Sequence, residues 1–290
     1  MRKIANKLLA PLFIFAPFAA MAADSTATGQ LTAQIEYDSE SEEASSWSLT
    51  VPNSYVGVTA GEELDSGAIY GHLRVGSDDD LTDDETDIEI QQAYVSLVMS
   101  SYAIWAGRLP SLEEVYLTAN APTQRSVAQN GLASAGYYDA YETNAAQLDF
   151  SLDGNATLSA QFVLDESEED MEYGLAYSMT TDEGSASVTF RDAPDEDAVW
   201  GLQFSYDGGT SIISATWIYQ DELAAWDYAI QADLTSMLLT LRYANDIDDN
   251  KRWVVGGEIE LSDDSVAYSE LQRWTETEQW IWATGLQVSF

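Results

Sequence analysis

The chain ends Gln279-Trp280-Ile281-Trp282-Ala283-Thr284-Gly285-Leu286-Gln287-Val288-Ser289-Phe290, and the order of these residues decides the fold that precedes them. Trp280, Trp282, Thr284, Leu286, Val288 and Phe290 share one parity. Ile281, Ala283, Gly285, Gln287 and Ser289 share the other. A strand points successive side chains to opposite faces. This segment therefore has one large, apolar face and one small, mixed face.

The same period of two runs back through the chain. Trp200, Leu202, Phe204 and Tyr206 alternate with polar or small residues, then Asp207-Gly208-Gly209 turns, then Ile213, Ala215, Trp217 and Tyr219 alternate again. Short Gly/Asp turns between such runs are hairpin signals. The pattern predicts strands at 28–38, 52–61, 67–76, 87–98, 102–108, 144–152, 156–165, 171–180, 185–191, 198–207, 210–219, 224–233, 237–244, 252–261, 265–271 and 278–290. That makes sixteen, with fourteen left open because 102–108, 185–191 and 265–271 are short. The connections alternate between tight turns and longer, mostly acidic loops. A soluble sandwich would have to bury Gln147, Asp149, Ser151, Thr157, Ser159 and Gln161, which is costly. A closed antiparallel transmembrane β-barrel instead turns them to water. Tyr37, Tyr173, Tyr206, Trp217, Tyr219, Trp226, Tyr243, Trp253 and Trp280 lie near strand ends, where rings form interfacial girdles.

The N-terminus sets the compartment. Arg2, Lys3 and Lys7 precede the apolar run Leu8–Phe18, and Ala20-Met21-Ala22 offers a small-x-small cleavage pattern. Residues 1–22 read as a cleavable signal peptide and 23–290 as the barrel domain. No other apolar stretch is long enough for a membrane helix, and there is no cysteine. Lys plus Arg number 11 against 50 Asp plus Glu; losing the signal leaves eight basic residues. Such a charge excludes nucleic acid as a partner and suits cations, or lipopolysaccharide bridged by divalent ions. The aromatic content is too high for a disordered acidic chain.

Three stretches carry a family resemblance. Asn53-Ser54-Tyr55-Val56-Gly57-Val58-Thr59-Ala60-Gly61 with the following turn and Gly67-Ala68-Ile69-Tyr70 resembles the second and third strands of general Gram-negative porins. Gln91-Gln92-Ala93-Tyr94-Val95-Ser96-Leu97 and Ala106-Gly107-Arg108-Leu109 resemble the pair before that family's constriction loop, and Asn144–Leu148 the strand after it. The terminal Phe290 is similar to the sorting signature of outer-membrane barrels.

The resemblance implies an outer-membrane general diffusion porin, a homotrimer passing ions and small polar solutes without a cofactor. It gives the long connection 109–143 the role of a constriction loop folded into the lumen. Glu113, Glu114 and Asp139 on it, and Glu142 at its exit, are the expected constriction carboxylates. Tyr55, Tyr70, His72, Arg74, Gln92 and Arg108 are the expected pore wall. A unit charge about 5 Å from an ion contributes roughly 3 kcal/mol at an effective dielectric near 20, so these carboxylates would favour cations. The family's ladder of wall arginines is missing at Tyr55, Gln91 or Gln92, and Glu142, which strengthens that expectation. The alternative is a substrate-selective channel of the sugar type, which would want a lumenal aromatic track beyond Tyr55, Tyr70 and Tyr116. His72 is the only histidine and no nucleophile motif accompanies it, so no enzymatic chemistry is expected. The acidic runs 78–80, 83–85 and 246–249 read as solvated loop surface.

Overall fold

A strand with an apolar face on one side and a polar face on the other needs hydrogen-bonded neighbours on both edges. The computed structural model describes residues 24–39, 46–52, 54–77, 88–118, 140–152, 154–164, 171–194, 197–221, 223–246 and 249–290. The predicted leader, and the acidic runs except Asp246 and Asp249, lie outside them. The strands are β1 (Asp24–Asp38), β2 (Ser46–Thr50), β3 (Ser54–Leu64), β4 (Gly67–Ser77), β5 (Glu89–Met99), β6 (Tyr102–Pro110), β7 (Tyr141–Leu152), β8 (Ala156–Leu164) and β9 (Met171–Thr181). They continue as β10 (Gly184–Asp192), β11 (Val199–Asp207), β12 (Ser211–Gln220), β13 (Leu223–Asp233), β14 (Leu238–Asn245), β15 (Lys251–Ser262), β16 (Ser265–Trp274) and β17 (Trp280–Ser289). One helix, α1 (Leu112–Thr118), follows β6.

Pairing is antiparallel throughout, and the sheet closes on itself. β17 pairs with β1 from Gln30↔Ser289 to Asp38↔Ile281. Past that register the Gly29 N–H donates to the Phe290 carbonyl at 2.9 Å, and the Phe290 N–H donates to the Gly29 carbonyl at 3.0 Å. The β17–β1 pairing seals the two ends of the sheet to each other, where open edges would be costly in a bilayer.

Seventeen strand segments make sixteen staves, because β2 and β3 both pair with β1 and lie end to end on it. The break falls at Val51-Pro52, where proline has no N–H for the ladder. This corrects two expectations. Residues 46–50, expected within a loop, form the upper half of the second stave, and the strand expected from residue 52 resumes only at Ser54. The first strand also starts earlier than expected, at Asp24. The three short segments are all genuine strands, and fourteen staves is excluded.

The faces are sorted as the period of two requires. On β11, Trp200, Leu202, Phe204 and Tyr206 are 51%, 45%, 50% and 45% exposed, while Gln203 and Ser205 are buried. The large apolar side chains face out and the polar ones face in, the inverse of a water-soluble protein. A continuous apolar outer belt of this extent fits lipid. Tight turns at one end are locally locked: at Asp207-Gly208-Gly209 the Asp207 carboxylate accepts the Gly209 N–H at 2.7 Å, and Gly209 takes φ 84°. The longer connections leave from the opposite strand ends.

Candidate functional site

The chain leaves β6 at Pro110 and turns inward as α1. Ser111 caps the helix: its hydroxyl accepts the Glu114 N–H at 3.2 Å and its carbonyl accepts the Val115 N–H at 3.1 Å. The Ser111-Leu112-Glu113-Glu114 order has the capping-box pattern, of which only the serine half forms, because the Ser111 N–H donates to the Ala140 carbonyl; a period of two does not register such a signal. α1 lies on the inner wall. The Gln161 amide donates to the Pro110 carbonyl at 2.9 Å, and the Ser187 hydroxyl to the Tyr116 carbonyl at 2.6 Å. The Tyr116 hydroxyl pairs with Ser159 at 2.6 Å.

Two glycines open the seat. A Cβ on Gly174 would meet Leu112 Cδ1 at 3.1 Å, and one on Gly201 would meet Leu117 Cδ1 at 2.5 Å. Leu112 and Leu117 are each 1% exposed. The small-residue gaps in β9 and β11 are therefore filled by leucines of α1.

The expected constriction residues have different fates. Glu113 turns into the wall and is 2% exposed, close to Arg191 and Glu172. Burial pushes its carboxyl above the ordinary range, against the pull of Arg191. Glu114 is only half-buried; desolvation raises its carboxyl too, opposed by Arg74. Glu142 is buried beside Arg191, 3.8 Å from its guanidinium, which Glu172 approaches at 3.5 Å. Glu142 faces inward because the β6–β7 pairing is irregular at Gly107/Leu109, with Asn144 at φ 54° and Gly107 at φ 136°. Asp139 lies outside the described residues.

The expected wall residues Tyr55, Tyr70, His72 and Arg74 share the inner face of β3 and β4. Arg74 sits over the Tyr55 ring, its Cζ 3.7 Å from the centroid. His72 Nδ1 pairs with the Thr59 hydroxyl at 2.8 Å, and its ring stacks on Tyr94 with centroids 4.9 Å apart. Gln92 sits across from Arg74. Arg108 donates to the Gln91 carbonyl at 3.1 Å.

The lumen is richer than the sequence reading allowed. Arg191, Arg242 and Arg252 also point inward, on β10, β14 and β15, beside the buried positions Thr189, Thr240 and Val254. Arg242 is bound to Asp227, and Arg252 lies over Trp274 at 5.1 Å. Tyr94 and Trp105 join Tyr55, Tyr70 and Tyr116 as inward aromatics. Parity along each strand could have found all of these except Tyr116, which lies on α1.

A model of the Gram-negative porin family matches residues 9–286. No curated protein sequence matches the chain. Among solved structures, a variant of the Rhodopseudomonas blastica porin superposes with a TM-score of 0.68 at 12% identity, covering 92% of this chain and 100% of its own. The anion-selective porin of Comamonas acidovorans gives 0.73 at 14% identity, covering 92% and 99%. At such identities these neighbours speak for the fold, and the family match speaks for membership. With a closed sixteen-stave barrel, an outward apolar belt and a polar interior behind it, the chain belongs to the Gram-negative porin family and is an outer-membrane channel protein.

Proposed function

We propose that the protein is a general diffusion porin, a water-filled pore that passes ions and small hydrophilic solutes with a mild preference for cations. The observation that carries this reading is the sorting of faces: polar side chains line the inside of a closed barrel whose outside is apolar. The tight turns would face the periplasm and the longer loops the exterior, with residues 1–22 removed on export.

The cation preference rests on local balance. The guanidinium of Arg191 stands against Glu142 and Glu172, and that of Arg242 against Asp227. Asp149 is held instead by the neutral Trp105 indole at 2.7 Å and the Gln147 amide at 2.8 Å, and Glu114 faces inward from α1. Arg74, Arg108 and Arg252 also face inward, but with Glu258 and Glu270 the inward carboxylates outnumber these five arginines, and salt weakens the resulting negative bias, since the Debye length falls to about 3 Å at 1 M.

Single-channel recording under a KCl gradient tests the reading. The reversal potential should indicate cation preference at neutral pH. Acidification protonates the carboxylates and should reduce the preference. Burial raises the Glu113 and Glu114 carboxyls, so the decline should begin above the pH range of ordinary carboxylates. Anion preference, or no current, would defeat the proposal.

A homotrimer in lipopolysaccharide-containing membrane fits the same reading. The outward positions of β3, β4 and β5 carry no aromatic ring, only residues such as Val56, Val58, Ala60, Ile69, Gly71, Leu73, Val95 and Leu97. The outward faces from β9 to β17 are studded with rings. A smooth, small-residue sector suits contact between subunits.

A further inference from the structure

Neighbouring staves bring three rings and one carboxylate together on the inner wall. Trp105 on β6 sits across from Ser96 on one side and Gln147 on the other. Its indole N–H donates to Asp149 Oδ2 at 2.7 Å. The Tyr94 ring stands edge-on to the indole, with centroids 5.4 Å apart and planes at 69°. From the other side comes Tyr116 of α1, whose hydroxyl pairs with Ser159 at 2.6 Å; Ser159 lies directly across from Asp149 in the β7–β8 register. Asp149 thus sits between Trp105 and Tyr116. Tyr94, Trp105, Tyr116 and Asp149 are each only half-buried, so all four present surface to the lumen.

Among the described residues, the two groups that hold Asp149, the Trp105 indole and the Gln147 amide, are neutral. Its negative charge is oriented by these bonds but not cancelled by them. Ring faces attract cations through their quadrupoles, and aromatic walls around an acidic group are the general solution for binding organic ammonium ions. An inorganic cation would have to give up water to use the rings. An alkylated ammonium has little hydration to lose and can meet ring and carboxylate together.

We propose that Tyr94, Trp105, Tyr116 and Asp149 form a lumenal subsite for organic ammonium ions, at which such solutes pause during passage. The proposal rests on the channel reading for access, and goes beyond it by naming a ligand class and the side chains that select it. Tyr116 enters the site only because α1 is seated on the wall. The helix therefore completes the subsite as well as occupying the lumen.

The probe is benzyltrimethylammonium chloride, added to the full-length protein in planar bilayers carrying KCl current. It should block the current reversibly, in a concentration-dependent way. Asp149→Asn and Trp105→Leu should each weaken the block constant about three- to tenfold while heat-modifiable gel mobility stays that of the intact barrel, which shows that the variants are folded. Block of equal strength by neutral benzyl alcohol would overturn the subsite, as would a wild-type block constant in either variant. Saturation-transfer NMR on detergent-solubilised protein should show the same ligand binding, weakened in both variants. Binding without KCl current would strike the channel reading and leave the site standing. Current without block or binding would do the reverse.

Discussion

Gly201 shows how much of the lumen is settled by single residues. A Cβ there would meet Thr189 Oγ1 at 2.4 Å and Leu117 Cδ1 at 2.5 Å, so any larger residue must displace a neighbour. Gly201→Val should push Leu117 off the wall and loosen α1. Single-channel recording should then show greater conductance and a noisier open state, with the barrel still intact by heat-modifiable gel mobility. Unchanged conductance would mean that α1 does not narrow the pore. None of this was legible in the sequence, since Gly201 and Leu117 lie far apart along the chain and an isolated glycine in a strand says only that something approaches closely. The fate of Glu113 was equally hidden. Composition marks it as acidic, but only the packing of Leu112 and Leu117 rolls it into the wall toward Arg191.

At the scale of elements, α1 depends on its cap. A helix this short gains little from propagation, so the Ser111 hydroxyl and the wall contacts must hold it. Ser111→Ala should cost about 1 kcal/mol of helix stability. The expected readout is increased current noise with little change in the barrel's thermal transition; a quiet, wild-type channel would show that the leucine seats alone suffice. The strands were far easier to read than the helix. Each has a long run of period two to declare it, whereas α1 declares itself only through Ser111 and Glu114 inside a connection dominated by other features. Pro52 is the intermediate case: its missing N–H splits one stave into β2 and β3, which sequence reading blurred into a loop and a shortened strand.

For the whole molecule, alternation made the architecture legible almost completely. Lipid outside and water inside impose one rule on every stave, and each stave repeats it. What alternation does not carry is contact between staves: which arginine meets which carboxylate, and where the wall gives way to a helix. Closure is the most exposed feature of the design, because the reciprocal Gly29–Phe290 backbone pair completes it. Deleting Phe290 removes both backbone bonds to Gly29, each contributing about 0.5–1.5 kcal/mol, together with a ring that lies over Gly29. The expected result is a lower unfolding temperature of the detergent-resistant barrel and slower insertion into vesicles; wild-type values for both would show that β1 and β17 are sealed without it. The outward-facing rings have a different consequence. Among the tryptophans, Trp105 and Trp274 point inward, while Trp47, Trp200, Trp217, Trp226, Trp253, Trp280 and Trp282 ring the perimeter. The protein thus carries its own optical gauge of immersion: brominated acyl chains should darken the perimeter indoles as the barrel sinks into a vesicle, leaving the two sheltered ones to glow.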